Sequence, residues 1–260
     1  MSQTEVQLIK ADAVQTVDIA NSAVTDAKIS ALTSSKLSGA LPAISGASLT
    51  NLPASGKAHN LVINGAMQVA QYGLSSDEDG YNTCDRFRYD KSGTDNNPTQ
   101  AQVDVASGTT PYTLGFRKAF KLTNGNQSSG AGANDLIAIK TRLEAQDIAN
   151  SGWNYTSTSS YITLSFWVKS SVAQNFYGYI RSYDGTSYLY PFETGSLSAN
   201  TWTKVTKTIP GNSNLQFDND ANLGLEIDIV QFYGTTYTDP GVSLNTWQTV
   251  SNYTPNNTST

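Results

Sequence analysis

"YITLSFWVK", residues 161–169, decides how the rest of the chain is read. Ile162, Leu164, Phe166 and Val168 take every second position, with Tyr161, Thr163, Ser165, Trp167 and Lys169 between them. Successive side chains of a strand point to opposite faces, so this spacing predicts a strand with one apolar face. Three other runs share the rhythm. "LGFRKAFKL" (114–122) sets Leu114, Phe116, Phe120 and Leu122 against Arg117 and Lys121. "TWTKVTKTIPG" (201–211) sets Thr203, Val205 and Ile209 against Lys204, Thr206 and Thr208. "LGLEIDIVQF" (223–232) sets Leu223, Leu225, Ile227 and Ile229 against Glu226 and Asp228.

Turn-forming clusters separate these runs: "TNGNQSSGAG" at 123–132, "YDGTS" at 183–187 and "PGNSN" at 210–214. Many short alternating strands with such punctuation predict a mainly β fold, an antiparallel β-sandwich of the jelly-roll type over residues 59–260. One short helix is expected near Glu144–Ala149, within "DLIAIKTRLEAQDIANSG".

The front of the chain has another character. In "ADAVQTVDIANSAVTDAKIS" (11–30), Ala13/Ala23, Val14/Val24 and Ile19/Ile29 coincide at an offset of ten. Residues 1–35 therefore form one zone, with sparse apolar positions and no Gly or Pro. Residues 36–58 form a second, where "SGA" and "LPA" each recur and Gly and Pro exclude a long helix. A repeat that cannot bury its own apolar face needs a neighbour. Disorder is one outcome; the other is a homotrimer, three copies wrapping one axis as an extended shaft.

Composition removes several function classes. Charged residues are 14% of the 260 and the formal net charge is −5, so no basic patch advertises nucleic acid. No apolar run suffices to span a bilayer, so no membrane insertion is expected. Cys84 and His59 are the single cysteine and histidine. That leaves no disulfide pair and no thiol cluster for zinc, and any triad would have to use His59, beside a linker. No enzyme activity, cofactor or metal is expected.

"NLVINGAMQVAQYG" (60–73) followed by "YNTCDRFRY" (81–89) resembles the opening of carbohydrate-binding-module-like jelly-roll domains in tail fibres and other appendages of tailed bacteriophages, especially of aquatic and cyanobacterial hosts. The resemblance continues through "TRLEAQDIANSGW" (141–153), "LSFWVKSS" (164–171), "NTWTKVTKTIPG" (200–211) and "LNTWQT" (244–249), and covers roughly residues 60–250. The front of the chain is similar to the trimeric shafts that precede such domains. The resemblance implies a virion location, adhesion to a host surface polysaccharide or lipopolysaccharide, and attachment of the N-terminus to another virion protein, a tail adaptor or the capsid. The rival implication is a purely structural head fibre, capsid decoration or tail connector. Similar domains carry a further strand after the "TWQ" segment. Here "NYTPNNTST" follows, which puts the closing edge of the sandwich in question.

Within this frame "QNFYGYIRSYDG" (174–185) is the candidate ligand surface. Tyr177, Tyr179, Arg181 and Tyr183 alternate onto one face, and Tyr188 and Tyr190 extend it if "YDGTS" closes a hairpin. Tyrosines beside an arginine stack on sugar rings and hydrogen-bond their hydroxyls; equally, such a face packs on a second sheet or another protomer. Asp77, Glu78 and Asp79 group on a loop, but three consecutive acids cannot converge on one calcium ion. Glu144 and Asp147, three apart on the expected helix, are a glycosidase-like carboxylate pair or simply surface groups. Trp153, Trp167, Trp202 and Trp247 read as core or interface fillers, and Cys84 as a small buried hydrophobe.

Overall fold

The computed structural model describes residues 60–256. The zones 1–35 and 36–58, the trimeric shaft expected of them and His59 lie outside the described residues.

The domain is mainly β with antiparallel pairing throughout its sheets. Six strands form the larger sheet: β2 (Phe87–Ser92), β5 (Leu136–Glu144), β7 (Asn175–Ser182), β8 (Tyr188–Ser196), β10 (Leu223–Tyr233) and the two-residue β11 (Gln248–Thr249), in the order β11-β8-β7-β10-β5-β2. Two smaller sheets accompany it. One pairs β6 (Tyr161–Val168) with β9 (Thr203–Pro210); the other joins β1 (Ser75–Ser76), β3 (Thr99–Asp104) and β4 (Lys118–Thr123).

Alternation explains how these layers meet. Ile162, Leu164 and Phe166 of β6 pack with Val205 and Ile209 of β9 toward Ile180, Tyr190, Phe192, Leu225 and Ile227 of the larger sheet. Rings of Phe166 and Phe192 lie 6.4 Å apart. At the other flank Phe120 of β4 comes within 6.5 Å of Phe87. Phe192 is wholly buried, a side chain whose removal from water stabilises the fold by about 2–3 kcal/mol. It fits because Gly178 lies opposite it on β7: a Cβ there would stand 2.5 Å from Phe192 Cζ and 2.6 Å from the Asp228 carbonyl.

The expected helix is present as α2 (Ala145–Ala149), which turns Ala145 and Ile148 into the core. An unexpected turn of helix, α1 (Thr110–Thr113), has a proline in its first turn and precedes β4. It removes Leu114 and Phe116 from the strand expected at 114–122, and Leu114 is 61% exposed. The "TWQT" segment itself supplies β11, which pairs with β8, Gln248 opposite Leu189. Among the described residues no helix is long and apolar enough to cross a membrane.

Candidate functional site

The second face of the six-stranded sheet holds the expected tyrosines. Register places Tyr179 beside Asp228, Arg181 beside Glu226, and Tyr177 beside Val230. Across β10 the same rows continue to Lys140, Arg142 and Ala138 of β5, and then to Arg88 and Asp90 of β2. Tyr177, Tyr179, Arg181 and Tyr183 therefore share one face, as alternation requires. Tyr188 does not. The "YDGTS" hairpin forms, but it pairs Arg181 with Leu189 and Ile180 with Tyr190. Tyr188 and Tyr190 thus turn to the core side, where both pack in the main cluster.

This face is not open across its width. The chain returns over it after β10 and again at its C-terminal end, where the Tyr253 N–H donates to the Tyr237 carbonyl at 3.0 Å. Tyr253 lies 5.3 Å from Tyr179 and 5.9 Å from Tyr233, centroid to centroid. Tyr179 is left 2% exposed, its hydroxyl 2.9 Å from that of Tyr233. Tyr177, Arg181 and Tyr183 stay half-buried at the margin. Arg181 places its guanidinium 4.6 Å from the Tyr183 ring centre and 5.8 Å from that of Tyr253, and donates to the Tyr253 hydroxyl at 3.3 Å. Cation and rings fix one another there, as a guanidinium over aromatic faces does.

Beneath the cover lies an ionic cluster. The Lys140 ammonium stands 3.2 Å from Asp228, 3.3 Å from Asp90 and 3.5 Å from Glu226. Arg142 Nε donates to Glu226 at 2.6 Å, and the Tyr183 hydroxyl donates to the other Glu226 oxygen at 2.8 Å. Arg88 closes the row on Asp90.

The two buried carboxyls behave oppositely. Burial raises both. At Glu226 the Lys140 charge and the bonds from Arg142 and Tyr183 outweigh it and hold the carboxyl below its ordinary range. At Asp228, fully buried, burial wins over Lys140, Glu226 adds repulsion, and the carboxyl is pushed up to about 8. Neither Asp228 oxygen has a hydrogen bond of good geometry. Burying a carboxylate without hydrogen bonds is costly even beside Lys140, and protonation is the cheaper state. Lys140 is raised: its own burial opposes this, but the surrounding acidic groups prevail.

The sequence reading missed Lys140, Glu226, Asp228 and Tyr253 as members of this face. One signal was available: Lys140 and Arg142 alternate on one strand as Glu226 and Asp228 do on another, which suits cross-strand charge pairing. The other candidates are dispersed. Glu144 accepts from Gln146 at 2.7 Å and faces Arg86 at 3.7 Å. Among the described residues no three His, Cys, Asp or Glu side chains gather as a metal site, Asp77, Glu78 and Asp79 included. Cys84 is fully buried, and burial with the neighbouring Asp85 charge pushes its thiol up to about 11.

The surface left available is thus a tyrosine and arginine margin beside an ionic row whose two central carboxylates, Glu226 and Asp228, are buried. Comparison of the chain with known protein families, characterised proteins and solved structures finds no match.

Proposed function

We propose that this chain is a bacteriophage virion protein, a homotrimeric tail fibre whose jelly-roll domain adheres to a host surface glycan without chemistry. The N-terminal segment would join another virion protein. The observation that carries the reading is the Arg181 guanidinium set between the rings of Tyr183 and Tyr253, all three half-buried at the margin of the sheet. Aromatic faces accept the C–H side of a sugar ring, and the guanidinium and phenol groups answer its hydroxyls. Such a surface binds weakly, and three copies per trimer convert about millimolar contacts into firm attachment. Binding rather than catalysis is supported by Asp228, the most displaced carboxyl, being wholly enclosed by its own chain.

The test is titration of the full chain against polysaccharide from the host envelope. Arg181→Ala should weaken binding about tenfold, the worth of one desolvated cation–aromatic contact. Unchanged binding would reject this surface. Absence of binding by the unaltered trimer would favour the structural reading, a head fibre, capsid decoration or connector. Closure of the face over Tyr179, 2% exposed, is the observation on that side.

A further inference from the structure

We infer that Lys140 and Asp228 condense to an amide inside the folded domain, with Glu226 carrying the proton, and so tie β5 covalently to β10. Strand register sets the two residues directly opposite each other. The Lys140 ammonium stands 3.2 Å from Asp228 Oδ1 and 3.5 Å from Glu226 Oε1. Asp228 is fully buried and Glu226 is 1% exposed, so no outside molecule reaches either carboxyl. Among the described residues, the amine that meets Asp228 is Lys140.

Three carboxyls surround this amine, and their environments divide the roles. Amide formation needs a neutral acid to be attacked and a carboxylate to take the proton. Asp90 is paired with Arg88, whose Nε donates to it at 2.6 Å. Glu226 is held as a carboxylate by Arg142 Nε at 2.6 Å and the Tyr183 hydroxyl at 2.8 Å. Asp228 has no such support: neither oxygen has a hydrogen bond of good geometry, and burial favours its protonated form. Neighbouring carboxyls pushed in opposite directions are an acid and a base in one site.

The step balances without a further reagent. Glu226 takes one proton from the Lys140 ammonium, and the freed Nζ lone pair adds to Cγ of the protonated Asp228 carboxyl. The bond from Cγ to the hydroxyl then breaks. Glu226 hands its proton to the departing hydroxyl and takes a second from the nitrogen, so one water leaves. Ammonium and acid thus become amide, water and one proton, which Glu226 finally releases to solvent. Groups fixed in contact react at effective molarities of ~10⁵–10⁸ M, above that of the water that would reverse the step. The amine must first surrender a proton that its acidic neighbours hold on it, so joining is slow. A freshly folded chain is therefore unjoined, and its Asp228 still titrates.

Intact mass spectrometry of the full chain, kept folded for weeks at about pH 8, tests this. Expected is a growing fraction lighter by one water, in which trypsin no longer cuts after Lys140 and a branched peptide joins Lys140 to Asp228. That fraction should also unfold at a higher urea concentration, because the tie closes a long loop in the unfolded chain. Lys140→Arg keeps the charge but has no attacking amine, and should show no loss. Glu226→Gln, with circular dichroism confirming its fold, should join at least about a hundredfold more slowly. Unslowed joining in that variant would overturn the proton-carrying role. The pairs Asp79–Gly80 and Asp184–Gly185 can also shed water by cyclising on the backbone. A loss that maps to them, or that persists in Lys140→Arg, overturns the inference. So does an unaltered chain that stays folded throughout and keeps its full mass.

Discussion

Asp228 sets how the stability of this domain varies with pH, and in the direction opposite to a paired surface carboxylate. Its carboxyl titrates at about 8 when folded, against 3.8 for an unperturbed aspartate. Between those values the folded chain keeps a proton that the unfolded chain has released. Stability therefore falls as pH rises through this window, by at most ~1.4 kcal/mol per pH unit for one proton. The groups facing Asp228 do not reverse the sign. Lys140 stays charged across the window, and Tyr179 and Tyr233 stay neutral because both are raised. Glu226 acts elsewhere: its carboxyl is depressed, so its contribution is lost only as pH falls below the ordinary glutamate value of 4.5. Asp228→Asn keeps the shape and removes the titration. Urea unfolding followed by tryptophan fluorescence, at about pH 5 and about pH 8, reads the difference. The unaltered chain should lose about 3–4 kcal/mol between the two conditions, whereas the variant should stay nearly level and be the more stable at the higher pH. Subtracting the two curves cancels any share of His59, which both chains carry. Stability that rises with pH, with the variant weaker at about pH 8, would mean that Asp228 is ionised and holds Lys140, and the account of this cluster would fail.

Tyr253→Ala removes the ring 5.3 Å from Tyr179 and the acceptor of Arg181, so it should cost about 2–3 kcal/mol, visible as a lowered Tm; an unmoved Tm would mean that the cover is not coupled to the sheet. Gly178→Ala drives a methyl against Phe192 and the Asp228 carbonyl, both held by the sheet, for about 2–3 kcal/mol; an unchanged urea midpoint would contradict the close approach. Cys84 should react with a thiol reagent only as fast as the domain opens, and immediate labelling in the folded chain would contradict its burial.

Strand identity was legible in the sequence because a period of two is a local property. The runs at 161–168, 203–210 and 223–233 need no knowledge of their neighbours, and neither does the short helix before Asn150. What covers a face is not local. Glu226 and Asp228 alternate with leucine and isoleucine and so look like outward residues, yet both are buried, because Lys140, Arg142 and Tyr183 close on Glu226, and Lys140 and Tyr179 on Asp228. Leu114 failed for a smaller reason: the proline at 111 starts a helical turn that the alternating letters conceal. The candidate surface was half legible. Its four members on β7 and just beyond share a face, but their exposure depends on a segment seventy residues away.

The misplacement of Tyr188 has a wider meaning. The link between Ser182 and Tyr188 is a counting device, with Gly185 at φ 62°, a left-handed backbone that other residues rarely adopt. One residue more or fewer would exchange Tyr188 and Tyr190 for Leu189 and Pro191, emptying the core of two rings and laying them on the ionic row. Length drift at this hairpin is therefore constrained by parity: evolution can retune its tip by substitution, or change it two residues at a time, but an odd step rewrites both sides of the sheet.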